Sequence, residues 1–132
     1  MIKVNVYKQS NYPIKATKIK AVVQLVLEKN GIMSDSTVEV ALVGRKKIAE
    51  LAMSYLGESE QVAGEHPVLA FPDSEIDQPF IYQPGHDLYL GEIIIGYPKA
   101  VETANTSGKL VEQVVLELAE HGALHLAGIH HD

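Results

Sequence analysis

Residues 88–95, LYLGEIII, carry the strongest strand signal in the chain. Gly96 and Pro98 close it. Upstream, residues 37–43 (TVEVALV) are rich in β-branched side chains and read as a second strand. Ile2, Val4 and Val6 alternate with polar neighbours, as in a half-buried strand, and residues 68–71 form a short apolar strand ended by Pro72. Helical spacing links Ile19, Val22, Val23, Val26 and Leu27, with Thr17 as the expected N-cap and Asn30-Gly31 as the stop. A second helix is expected over Arg45–Leu56, with Ile48, Leu51, Ala52 and Tyr55 on one face. Residues 57–64 read as a loop. Residues 73–87 hold Pro79, Pro84 and Gly85, and a loop of that length is expected to be functional or mobile and not a mere connector. From Ser107 the pattern is helical through about Leu126. Strands and helices mix without strict βαβ alternation. The expected fold is therefore α+β, a small mixed β-sheet of about four strands with helices packed on it, in one domain over residues 1–132.

Composition narrows the chemistry. The 132 residues include no cysteine, which excludes a disulfide scaffold, a thiolate metal site and a cysteine nucleophile. No apolar run approaches the roughly 18 residues that span a bilayer, and the N-terminus alternates instead of forming a signal-peptide core. A cytoplasmic protein is expected. The net charge of −6 conceals an asymmetry, because residues 1–48 carry +6 and residues 49–132 carry −12. A basic first third leaves room for one cationic face toward a phosphate-bearing partner, and equally for a set of solvated lysines.

Four of the six histidines fall in the last twelve residues, HGALHLAGIHHD. His121 and His125 lie four apart, so on a helix their imidazoles share one face about a turn apart. The C-terminal helix is thereby expected to bind metal. Gly128 lets the chain leave that helix, and His131 is then placed to return as a third ligand. Histidines at +0, +4 and +10 with glycine at +7 reproduce the zinc-binding spacing of metzincin peptidases. Three protein ligands leave a position for an activated water. The peptidase general base is missing, however: the residue after the first histidine is Gly122, and Glu120 points roughly 100° away.

HGALHLAGIHH resembles the His-Gly-x-Leu-His-Leu-x-Gly-Tyr-Asp-His signature of the YbeY family of bacterial metal-dependent endoribonucleases. Val68-Leu69-Ala70-Phe71-Pro72 is similar to the family's Val-Leu-Ser-Phe-Pro, and Leu90-Gly91-Glu92-Ile93 to its Leu-Gly-Asp-Ile. The resemblance implies that His121, His125 and His131 hold one divalent ion, usually zinc (Zn2+). It further implies a role in processing ribosomal RNA, near the 3′ end of the small-subunit RNA, with ribosomal proteins as further partners. The family's Tyr-Arg-Gly segment reads Tyr55-Leu56-Gly57 here, so Leu56 stands at the arginine position. The Thr-Asp ahead of the Phe-Pro strand reads His66-Pro67, and the Tyr-Asp ahead of the third ligand reads Ile129-His130.

The expected activity is zinc-dependent cleavage of single-stranded RNA, with Lys18, Arg45, Lys46 and Lys47 as candidates to contact its backbone. Glu92 reads either as a carboxylate that activates water or supports a ligand, or as an ordinary strand carboxylate. His130 stands beside His131 as an alternative third ligand or a proton donor. His66 and His86 are expected to be solvent-exposed, and Tyr55 either stacks on a base or joins the core. Two other activities fit parts of the pattern. One is a metal-stabilised ribosome-associated factor without appreciable nuclease activity, suggested by Leu56 and the short C-terminus. The other is a metallopeptidase, suggested by the histidine spacing alone.

Overall fold

The computed structural model describes residues 1–73 and 88–128. The chain runs β1 (Ile2–Lys8), α1 (Ala16–Lys29), β2 (Ser36–Val43), α2 (Arg45–Leu56), α3 (Glu60–Ala63), β3 (Val68–Pro72), β4 (Leu88–Gly96), α4 (Tyr97–Ser107) and α5 (Val111–Leu126). The four strands form one sheet in the order β1-β2-β4-β3. β1, β2 and β4 are parallel, while β3 runs antiparallel along β4. This is the mixed α+β architecture expected from the pattern.

Strand alternation assigns the two faces. Val38, Val40 and Leu42 of β2 join Ile93 and Ile95 of β4 in a core shared with α1, α4 and α5. Ala41, Val43, Ile94, Leu69 and Phe71 point the other way and pack against α2 and α3. Every residue of β2 is buried, as a central strand covered on both faces requires.

Three local expectations change. Lys15, not Thr17, holds the N-cap position of α1, with φ −74° and ψ 121° and no side-chain cap. Ile14 is buried in the core immediately before it, so burial rather than a hydroxyl sets where the helix begins. The second change is α4, which follows β4 directly. Pro98 sits in its first turn, where a proline's missing N–H costs nothing. The helix expected from Ser107 to about Leu126 is α5, which starts only at Val111, because α4 runs up to Ser107 and Gly108 reverses the chain at φ 71°. The third change is a short helical turn, α3, inside the expected loop 57–64. The long segment 73–87 lies, after Asp73, outside the described residues.

A bulge in β4 matters for the site. Thr37 pairs with Tyr89 but Val38 pairs with Gly91, so Leu90 is the extra residue. Gly91 has φ 139°, and a Cβ there would stand 2.2 Å from the Phe71 carbonyl oxygen. Only glycine fits. The bulge also puts Tyr89 and Glu92, three apart in sequence, on the same face of the sheet.

Candidate functional site

α5 approaches the sheet closely because Gly122 has no side chain. A Cβ at that position would lie 2.6 Å from Ile93 Cγ2, well inside contact distance. The same packing gives a physical reason for the absence of a peptidase base, since no glutamate side chain fits where no methyl does. With Gly122 and Ala123 against the sheet, His121 and His125 flank the contact. Both line a cleft of about 360 Å³ whose other walls are Leu56, His66 and strand β3.

The cleft suits a metal in its donor chemistry. Two imidazoles one turn apart present soft-to-borderline nitrogen donors to a common space. Gly128, at φ 85°, is where the chain leaves the helix direction. Residues 129–132, with His130 and His131, lie outside the described residues, as does His86. Among the described residues no three histidines or carboxylates gather into a metal site, so the third ligand is not supplied from that set.

His66 was expected in solvent but forms part of the cleft wall. Its Nε2 lies 2.5 Å from Glu58 Oε1, and both side chains are about three-quarters buried. The pair was missed because eight residues separate its members, and only the short α3 helix between them brings them together. Leu56, half-exposed, lines the same cleft at the end of α2. Tyr55 is a core residue: its ring packs on Phe71 with centroids 4.9 Å apart.

Glu92 lies elsewhere. It alternates with Ile93 and so occupies the α2 face of the sheet, opposite the face that carries α5. It is 2 % exposed and pairs in register with Glu39, which is fully buried. Burial pushes the Glu39 carboxyl above the usual range, the Asn5 amide at 3.4 Å opposes this, and Glu92 adds to it. Burial, then Glu92 and Glu39, likewise raises the Tyr89 hydroxyl. Glu39 Oε2 and the Tyr89 hydroxyl are buried and have no hydrogen-bond partner among the described residues. A single acid inside a β-branched strand was the available signal for Glu39.

The basic residues do not converge. Lys18 is on α1, in the α5 layer, and pairs with Glu112 at 2.7 Å. Arg45, Lys46 and Lys47 open α2 in the opposite layer, eleven to nine residues before Leu56. Arg45 donates to the Gly64 carbonyl at 3.1 Å and meets Glu65 at 3.3 Å, while Lys47 stands 3.8 Å from Glu50. None of the four lines the cleft. The +6 of the first third is therefore spread over two faces.

Comparison with known proteins adds what geometry cannot. A protein-family description, Endoribonuclease YbeY, matches residues 5–132. A protein named Endoribonuclease YbeY from Moorella thermoacetica is 34% identical over 130 residues, covering 95% of this chain and 81% of that one. A namesake from Thermus thermophilus is 33% identical over 114 residues, covering 86% and 75%. A solution structure from Thermotoga maritima superposes with a TM-score of 0.56 at 24% identity, over 98% of this chain and 75% of its own, and supports the fold alone. Matched over almost its whole length and at these identities, the chain belongs to the endoribonuclease YbeY family.

Proposed function

We propose that this protein is a metal-dependent endoribonuclease that hydrolyses phosphodiesters of single-stranded RNA in the cytoplasm. The observation that carries the reading is the convergence of His121 and His125 on one cleft, in a chain whose relatives are named endoribonucleases. His121, His125 and His131 would hold one ion, with zinc the best match to an imidazole set. When bound, such an ion supplies Lewis acidity toward the phosphodiester and acidifies water at its open position. The chain's own contribution is a firm seat for the ligands, set by the contact of Gly122 with Ile93, and an apolar wall from β3 and Leu56 against which bases can lie. Lys46 and Lys47 belong to the layer that contributes Leu56, and they are the stronger of the backbone-contact candidates; Lys18 is on the other layer. Ribosomal RNA of the small subunit, with ribosomal proteins nearby, is the proposed target.

Metal analysis and an RNA cleavage assay on wild-type and His125→Ala protein test this reading. The wild type should carry one divalent ion per chain and cut a single-stranded oligoribonucleotide, and the variant should lose both properties. A His125→Ala protein with its metal and full nuclease activity would overturn the proposal. A second reading, a ribosome-associated factor with little nuclease activity, is favoured by one feature: Leu56 places carbon, not positive charge, at the cleft. Metal-bound wild-type protein that leaves RNA intact would support it.

A further inference from the structure

Hydrolysis of a phosphodiester needs a proton acceptor for the attacking water, and the described cleft offers few. His66, His121 and His125 are the acid–base side chains among its described lining; the rest is carbon from Leu56 and β3, with Gly122. Two of these imidazoles are engaged as ligands in the proposed function. That leaves His66. Glu92, the carboxylate singled out by sequence, is on the far face of the sheet, and Glu120 does not line the cleft.

His66 is built to hold one orientation. The Gly64 carbonyl accepts from Arg45 at 3.1 Å, and the Pro67 carbonyl accepts from the Gly96 N–H at 2.8 Å, so the backbone is pinned on both sides of it. Its ring donates Nε2–H to Glu58 Oε1 at 2.5 Å, with the carboxylate itself about three-quarters buried. In the neutral ring this bond fixes the tautomer, with the proton on Nε2, and leaves the Nδ1 lone pair as the basic site of the ring. A base oriented by a carboxylate on its other nitrogen is the arrangement that hydrolases of several folds use to move a proton.

We propose that His66 is the general base of the reaction and that Glu58 is its positioning residue. In the step, a water oxygen lone pair forms the new bond to phosphorus while the water proton passes to His66 Nδ1. The bond from phosphorus to the leaving ester oxygen breaks with its electron pair, and that oxygen takes a proton from solvent. Glu58 holds the ring and stabilises the charge that it acquires. The inference rests on the nuclease reading above.

The experiment compares wild-type, His66→Gln, His66→Gly and Glu58→Gln proteins with a fluorescent single-stranded RNA. Removing a positioned base should lower kcat by roughly 10²–10⁴-fold, with KM and metal content unchanged. Added imidazole should restore part of the rate in His66→Gly and none in the wild type. Glu58→Gln, which keeps an acceptor but loses the charge, should fall between. Unaltered kcat in a folded His66→Gln protein, with wild-type cleavage intact, would overturn this inference and leave the nuclease reading standing. A loss of metal or of thermal stability that accounts for the fall in rate, without imidazole rescue, would also overturn it, because His66 would then be structural. Wild-type protein that binds metal and does not cut RNA would remove both proposals together.

Discussion

Replacing Gly122 by alanine is the most direct probe of how α5 is seated. The added methyl would stand 2.6 Å from Ile93 Cγ2, 3.2 Å from its Cγ1 and 3.4 Å from its Cβ. Ordinary contact starts near 3.4 Å, so the helix and the strand must part by about 0.8 Å at that point. Ile93 is fully buried and β-branched, and its neighbours fill the core shared by α1, α4 and α5, so it has no free volume to enter. Overpacking of this kind costs about 1–3 kcal/mol, against a helix-propensity gain of at most about 1 kcal/mol for alanine over glycine. The net expectation is a loss of about 1–2 kcal/mol, or roughly 3–8 °C in Tm for a domain of this size. Thermal and urea denaturation should be run with a chelator present, so that a bound ion does not mask the packing effect. Ile93→Ala alone should cost about 2–5 kcal/mol. The double variant should cost less than the sum of the two, because the smaller residue at 93 admits the methyl at 122. Gly122→Ala protein as stable as the wild type would show that α5 does not press on β4 as described. The same displacement should weaken metal binding, since His121 and His125 ride on the helix that moves.

Three further outcomes follow from particular contacts. Gly91→Ala should be worse than Gly122→Ala, because its methyl meets the backbone oxygen of Phe71 at 2.2 Å and the residue must hold φ 139°; a soluble, cooperatively folding variant with wild-type Tm would refute the bulge. Glu39→Gln should gain on the wild type as pH rises. The Glu39 carboxyl is raised above its unfolded value, so the folded state holds its proton longer, and stability present below about pH 4.3 is lost as pH climbs through the folded value; a stability difference that stays constant from pH 4 to pH 8 would contradict this. Leu56→Arg should leave stability within about 0.5 kcal/mol, since the side chain is half-exposed, and should tighten RNA binding while steepening its salt dependence by about 0.7 per added phosphate contact. Fluorescence anisotropy across a salt series would read that slope, and an unchanged slope would mean that RNA does not pass Leu56.

The fold was legible wherever apolar pattern and burial coincide. Residues 37–43 and 88–95 became β2 and β4, each within a residue or so of the expected ends, because both are buried on two faces and their composition says so. The Arg45–Leu56 helix matched for the same reason, with Ile48, Leu51 and Ala52 on its buried side. α4 was not legible. Its buried side is Ala100 and Ala104, too small to register as an apolar stripe, and Pro98 signals the end of a strand as readily as the start of a helix. At the site, the four-residue spacing of His121 and His125 was enough to place them on a shared cleft, because a helix converts spacing directly into geometry. His66 and Glu58 are linked only through the four-residue α3 and irregular chain, so their spacing converts to no fixed geometry. The basic residues failed differently: a charge count over residues 1–48 carries no information on which layer each side chain joins, and Lys18 and Lys46 ended on opposite ones.

The Leu90-Gly91-Glu92 segment shows why a motif that looks chemical can serve a site through its backbone. Its carboxylate faces away from α5, toward Glu39 and Tyr89, where the neighbouring acids disfavour one another's charge. Its glycine faces the helix: a Cβ at Gly91 would lie 2.9 Å from Leu126 Cδ2, at the C-terminal end of α5. Gly122 makes the complementary contact a turn earlier, from helix to strand, against Ile93. α5 is thus pressed onto β4 at two points, one where the helix lacks a side chain and one where the strand does. His125 lies between them in sequence and His121 immediately before the first. Two close contacts fix both the height and the roll of a helix, whereas one would leave it free to pivot. The positions of the two imidazoles over the edge strand β3 are therefore set by backbone proximity, and a substitution that adds a single methyl at either glycine should disturb the ligands without touching them.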